Sequence, residues 1–268
     1  MSYQTVQGKK RIWVISLLGV ILLLAGTVFG VDWANYFLGT NLLYPAIGKP
    51  IITLLALILV LSIGKNRLDG RDWGLLLAAL CCMLPTDILM SVVAVNPNVG
   101  VSSVLFMVGG VLSILAHLFL ILRLIGHGAP GWSGQVPLSQ KVLLPLLIYG
   151  SAAILLGLLW THLVRVGHAL IAPIYTAFFC TTMWLAWETV RNRLLPKPNG
   201  WMAALAASGW FFTEISGEIY NLSLGNISEV MFRVVWVFYS TTVVLWALSG
   251  YRWVDEPRRA KRSAARKK

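Results

Sequence analysis

Eight long apolar runs, separated by short polar stretches, recur along the chain. They cover Ile12–Val31, Leu42–Ile63, Trp73–Val95, Val101–Ile125, Val142–Leu163, Ala169–Val190, Trp201–Leu224 and Val230–Gly250. Each reaches the roughly 20 residues that a tilted helix needs to cross about 30 Å of hydrocarbon. Strands of a membrane barrel alternate and run to only about 10 residues, so a barrel is excluded. The pattern predicts an all-α fold: a polytopic membrane bundle of eight transmembrane helices over residues 1–250, then a basic tail over 251–268. Connections are short. The longest, Gly126–Gln140, is rich in Gly, Pro and Ser and reads as a flexible loop. Lys9, Lys10 and Arg11 precede the first run as they would in a signal peptide. That run is too long for one and lacks a small-residue cleavage site, so it is expected to be retained.

Composition agrees with the pattern. The chain is 57% hydrophobic and 12% charged, with a mean hydropathy of +0.75, outside the range of soluble domains. Its net charge of +12 is distributed unevenly. With the N-terminus placed in the cytoplasm, 19 of the 22 Lys and Arg fall on the cytoplasmic side: at 9–11, 65–71, 123–141, 191–197 and after Gly250. Both termini are therefore expected inside a cell membrane. The tail cations Arg258, Arg259, Lys261, Arg262, Arg266, Lys267 and Lys268 suit anionic lipid at about 1 kcal/mol per cation. Nucleic acid is not an expected partner, because no domain is present to read a groove. Cys81, Cys82 and Cys180 all lie within apolar runs, with no CxxC and no histidine at zinc spacing. They are expected to be small buried hydrophobes, and neither a metal nor a cofactor is expected.

Two acids interrupt this apolar background, Asp87 in Thr86-Asp87-Ile88 and Glu214 in Thr213-Glu214-Ile215. An ionisable group in hydrocarbon costs about 2.5–3.5 kcal/mol on insertion scales, so it normally faces a bundle interior or a wet cavity and marks function. The surrounding segments hint at an internal repeat. Pro50-Ile51-Ile52-Thr53 matches Pro173-Ile174-Tyr175-Thr176, and the acidic tripeptides match each other at a similar offset. That predicts two parallel four-helix halves with Asp87 and Glu214 as counterparts. Counting residues from the segment ends puts Lys49, Asp87 and Glu214 at one depth, roughly 10–15 Å below the outer surface. Glu218, one turn beyond Glu214 on the same face, would line an entrance, with Arg233 as its counter-ion in a structural salt bridge. His117 reads either as a packing residue or as polar support for the site. His162 and His168 are expected in solvent, Trp210 and other tryptophans as anchors or packing, and Glu188 with Arg191 as a surface i,i+3 pair.

These motifs, in order, resemble the YhhN family of eight-helix membrane proteins, which includes lysoplasmalogenases. The matching stretches are Gly48-Lys49-Pro50, Leu76–Ile88, Gly109–Leu120, Ala206–Ile215 and Phe238-Tyr239. The chain departs from the family pattern at Thr86, at Thr213-Glu214 and at Val243. The resemblance implies hydrolysis of the vinyl-ether bond of a lysoplasmalogen, with a lysophospholipid as substrate. Asp87 and Glu214 would be the catalytic acids, and Lys49, His117, Tyr239 and Glu218 would bind substrate. The chemistry is compatible with such a pair: a vinyl ether is cleaved by protonation at carbon followed by addition of water, which calls for an acid and a nearby carboxylate.

The same residues suit a second class of function, a proton-coupled transporter or lipid-binding protein with the acids as a relay or cation site. A purely structural bundle would have to bury both acids without a role. Lys49 favours a phosphorylated headgroup, since a cation fixed beside two acids suits an anionic ligand better than a transported cation.

Overall fold

A computed structural model describes residues 3–39, 44–95, 104–127, 138–221 and 226–253. Among them are eight α-helices: α1 (Tyr3–Leu38), α2 (Tyr44–Ile63), α3 (Gly70–Val95), α4 (Val104–Ile125), α5 (Leu138–Arg165), α6 (Ile171–Arg191), α7 (Lys197–Asn221) and α8 (Asn226–Ser249). One turn of 3-10 helix, Gly64–Asn66, follows α2. There is no sheet among the described residues, and the only bridge pairs Arg67 with Tyr251. Four helices are long and apolar enough to cross a membrane, over Ile12–Leu38, Gly70–Ser91, Val104–Ile125 and Val142–Arg165. The apolar helical stretches Ile47–Ile63 and Arg233–Ser249 are shorter. The exterior is apolar too: Leu23 and Leu158 are 76% and 72% exposed. A surface of that kind suits lipid rather than water.

Packing follows one scheme twice. In the first half α1 packs on α2, α2 on α3 and α3 on α4; in the second α5 packs on α6, α6 on α7 and α7 on α8. The halves join through α2 with α8 and through α4 with α6, contacts that an exchange of halves would swap. Each half has a glycine at a close helix crossing. A Cβ on Gly209 of α7 would meet the hydroxyl oxygen of Thr242 on α8, and one on Gly109 of α4 would lie 2.5 Å from the Met90 methyl of α3. Small residues let backbones approach where lipid supplies no hydrophobic drive between helices. Leu76, Leu80, Leu120, Leu124 and Trp246 fill the interior with almost no exposure.

One end of the bundle is held by a buried ion pair. Asp69, ahead of α3, accepts the amides of Arg71 and Asp72 at 3.0 and 3.3 Å and so caps the helix. The amide of Asp72 contributes most to holding the Asp69 carboxyl below its ordinary range. Asp72, inside that first turn, receives Arg123 of α4 through Nε at 2.7 Å and Nη2 at 3.1 Å. Arg123 also donates to the hydroxyl and carbonyl of Ser249 at the end of α8. Asn199 of α7 donates to the carbonyls of Ser249 and Tyr251, each at 2.7 Å. The chain beyond α8 then lies along the α2–α3 connection, with the Leu68 amide on the Gly250 carbonyl and the Arg252 amide on the Asn66 carbonyl.

Several sequence expectations change here. Arg123, counted among the cytoplasmic-side cations, is 1% exposed and serves as an internal clamp. Glu188 is likewise buried at 2% while bonded to Arg191 and Asn192, so that pair is not a surface one. Cys81 is exposed and only Cys180 of the three is buried. Tyr251 lies against the bundle through its bridge to Arg67 and its carbonyl bond from Asn199. The basic residues from 258 onward lie outside the described residues.

The two glycine crossings should respond differently to an added methyl. Thr242 is β-branched and fully buried, whereas Met90 offers a flexible terminal methyl. Gly209→Ala should destabilise the protein by about 1–3 kcal/mol through overpacking, and Gly109→Ala by clearly less. Thermal unfolding in detergent measures both; equal losses would contradict this account.

Candidate functional site

Asp87 and Glu214 project into the bundle from α3 and α7, the central helix of each half. Pro85 precedes Asp87 by two residues, inside α3. It removes the helical hydrogen bond to the Cys81 carbonyl. The Thr86 hydroxyl bonds back to the Cys82 carbonyl at 2.9 Å. In α2, Pro50 follows Lys49, and the Thr53 hydroxyl lies 3.2 Å from the Lys49 carbonyl. At the end of α5, Gly167 takes a φ of +81°, which a side chain rarely adopts. The turn it allows brings the His168 amide back onto the Leu163 carbonyl at 2.7 Å and folds the ring inward. His168 is only 6% exposed and stacks on Phe106 at 4.6 Å, so the expectation of a solvated His168 is corrected.

Between the halves lies a cavity of about 260 Å³. Its wall contains Lys49, Asp87, Glu214 and Tyr239, four of the six residues singled out from the sequence. The lining is paired across the halves. Thr86 and Thr213, Asp87 and Glu214, and Met83 and Trp210 all stand at one sequence offset, and all face the same space. Lys49 has Ala172 as its counterpart at the offset that relates Thr53 to Thr176, so the lysine marks one half alone.

Each acid is anchored through one oxygen. Asp87, 2% exposed, accepts on Oδ2 from the Thr53 hydroxyl at 2.5 Å and from the Tyr239 hydroxyl. Each hydroxyl has a single proton to give, so the 3.1 Å approach of Thr53 and Tyr239 oxygens follows from their shared acceptor. Oδ1 faces the Lys49 ammonium at 3.8 Å. That ammonium also lies 4.3 Å above the Tyr239 ring, a favourable cation–π position. Glu214 accepts on Oε1 from the Tyr175 hydroxyl at 2.7 Å and from the Trp210 indole at 3.0 Å. Its Oε2 has no hydrogen bond among the described residues. One acid thus sits against a cation, and the other presents a bare oxygen.

His117 is not part of the cavity wall. It is buried behind Trp210, with ring centroids 4.4 Å apart, and its Nδ1 meets the Thr182 hydroxyl at 3.0 Å. Thr182 can give its proton to the Phe178 carbonyl at 2.9 Å. That assigns the imidazole proton to Nδ1. Nε2 then has no partner among the described residues. His117 braces Trp210 and so acts behind the wall. Glu218 lies on α7, and its side chain is outside the described residues. Arg233 approaches Asp32 of α1, with Nε 4.0 Å from the carboxylate, and its guanidinium covers Tyr36 at 4.5 Å.

Thr53, Tyr175 and Trp210 were not named as site residues from the sequence. Trp210, read as an anchor or packing residue, is a buried donor one turn before Glu214. That i,i+4 spacing was the available signal. Thr53 and Tyr175 stand inside the two repeated Pro-containing motifs. They mattered there as evidence of duplication, while their hydroxyls are what hold the acids. Comparison with known proteins finds no matching family model, no matching curated protein and no matching solved structure. The YhhN resemblance rests on the short motifs alone.

Two tyrosine-to-phenylalanine changes test the anchoring. Tyr239→Phe removes a donor from a buried carboxyl and should cost about 1.5–3 kcal/mol. Tyr149→Phe removes a hydroxyl bonded to Thr181 at 2.6 Å on the exposed side of α5 and should cost about 0.5–1 kcal/mol. Chemical or thermal unfolding of the two variants side by side reads the difference. A Tyr239→Phe protein as stable as wild type would remove Asp87 from the role assigned to it in the fold.

Proposed function

We propose that the protein is an intramembrane hydrolase of vinyl-ether lysophospholipids, a lysoplasmalogenase of the YhhN type. The observation that carries the reading is the meeting of Lys49, Asp87 and Glu214 on one cavity with unequal surroundings for the two acids. In this reading Glu214 delivers a proton from Oε2 to the vinyl carbon remote from the ether oxygen. The Asp87 carboxylate faces the oxocarbenium ion that results and takes a proton from the incoming water. Water adds at the carbon bearing oxygen, and the hemiacetal breaks to a fatty aldehyde and a glycerophospho-alcohol. Asp87 gives its proton to the departing alcohol oxygen while the hemiacetal hydroxyl gives its own to Glu214, so both acids are restored. Lys49 orients the phosphate, and Tyr239 holds Asp87. All eight helices cross the membrane, with both termini in the cytoplasm and the cavity toward the outer side.

A carrier is the second reading, and the matched packing of the two halves favours it, since repeats about a central site are common in transporters. Mutation separates the two. Asp87→Asn and Glu214→Gln should each lower aldehyde release by about a hundredfold or more, while circular dichroism stays that of wild type. Glu218→Gln should be much milder. The assay is purified protein with ethanolamine or choline lysoplasmalogen and a coupled aldehyde dehydrogenase. Full hydrolysis by Asp87→Asn would defeat the two-acid mechanism. Absent turnover by wild type, with Asp87-dependent proton flux in liposomes, would establish the carrier instead.

Topology is tested separately. A cysteine placed at Asn98 should react with an impermeant maleimide on intact cells, and one placed at Lys268 only after permeabilisation. The same response at both positions is incompatible with eight crossings.

A further inference from the structure

A second hollow opens beside the first, between α5, α6 and α7. Ala152, Leu155, Leu156 and Leu159 of α5 face Phe179 of α6 and Phe211 of α7 across it. Glu214, Tyr175, Ala172 and Leu163 line both spaces. The two hollows are therefore neighbours through a common wall, with Glu214 at the junction. Lys49, Asp87 and Glu214 share the main cavity, and Glu214 also lines the aliphatic slot.

We infer that this slot takes the hydrocarbon chain of a single-chain amphiphile whose anionic head lies toward Lys49, and that α5 yields sideways to admit it. The inference rests on the proposed lipid-directed reading and adds the orientation of the substrate. It has three supports. The slot is lined by leucines and phenylalanines and meets the polar cavity at the acid with the bare oxygen, where the bond between head and chain must lie. It is narrow, about 40 Å³ against about 260 Å³ for the main cavity, so a file of methylenes enters only if a wall moves. The wall able to move is α5. Its counterpart α1 packs on both α2 and α8, whereas α5 packs chiefly on α6. Of the four helices suited to crossing a membrane, α5 is also the least buried, at 17%. Ile154 and Leu158, on its outer face, are 68% and 72% exposed, placing the opening beside the lipid from which an amphiphile would come.

The test uses a non-cleavable probe, a long-chain 1-O-alkyl lysophosphocholine with a diazirine at the chain terminus, photolysed on the wild-type protein in nanodiscs. Labels are expected on Leu155, Leu156 or Leu159 of α5 and on Phe211 or Ile215, and an unlabelled alkyl lysophosphocholine should compete them away. Labels confined to lipid-facing residues such as Ile154 and Leu158, or unaffected by competitor, would overturn the slot. Leu156→Phe narrows it with a modest change of volume. The preference among chain lengths should shift toward shorter chains, with binding of the longest weakened roughly tenfold; an unchanged preference counts against the proposal. Because the probe is not hydrolysed, the two readings fail separately. Competed labels in the slot without aldehyde release sustain the slot and reject the hydrolase. Aldehyde release with labels elsewhere rejects the slot alone.

Discussion

A carboxyl group taken out of water must be met by donors, and in an apolar bundle most of those donors belong to other helices. This requirement decides which helices are neighbours. Asp72 of α3 calls in Arg123 of α4, which in turn holds the end of α8. Asp87 needs Thr53 of α2 and Tyr239 of α8. Glu214 draws Tyr175 from α6 and adds Trp210 from its own helix. Leucine against leucine packs almost equally well in many arrangements, and lipid tails compete for the same contacts. A buried polar group accepts far fewer, because leaving it unmet is costly. The polar clusters thus fix the register of an otherwise slippery assembly.

The all-helical character was legible because apolar run length is a direct physical requirement of crossing hydrocarbon. The grouping of Lys49, Asp87 and Glu214 was legible for a related reason: charges in such runs have few places to go. What the sequence did not reveal was where neutral polar side chains point. Trp210 reads as one tryptophan among 12 until the helix places its indole against Glu214. His168 looks like a loop residue until Gly167 turns it inward. Arg123 counted as a topology cation because charge near a helix end normally stays wet, whereas here Asp72 and Ser249 hold its guanidinium inside. The side chains of α7 beyond Ser216 are not described, so the expected pairing of Glu218 with Arg233 has no structural counterpart to compare.

The two halves share a packing plan yet differ where the chemistry would lie. Lysine faces alanine across the axis, aspartate faces the longer glutamate, and methionine faces tryptophan. A symmetric cavity would give both acids the same surroundings and the same tendency to hold a proton. The structure breaks that equivalence: the Lys49 ammonium lies 3.8 Å from Asp87 Oδ1, while Glu214 is held through Oε1 by Tyr175 and Trp210. Departure from symmetry, more than the symmetry itself, is what the proposed two-acid reaction draws on.

Tyr239 and Ser249 come from α8, which is made after the seven other described helices. Until α8 has docked, Asp87 lacks one of its two hydroxyl donors, Arg123 lacks its contact at the helix end, and the connection between α2 and α3 lacks the backbone bonds it makes to the residues after α8. The first four helices therefore come together with polar positions still open, and their final arrangement waits on α8. Order of synthesis and order of consolidation run in opposite senses here: the helices made first are among the last to be locked.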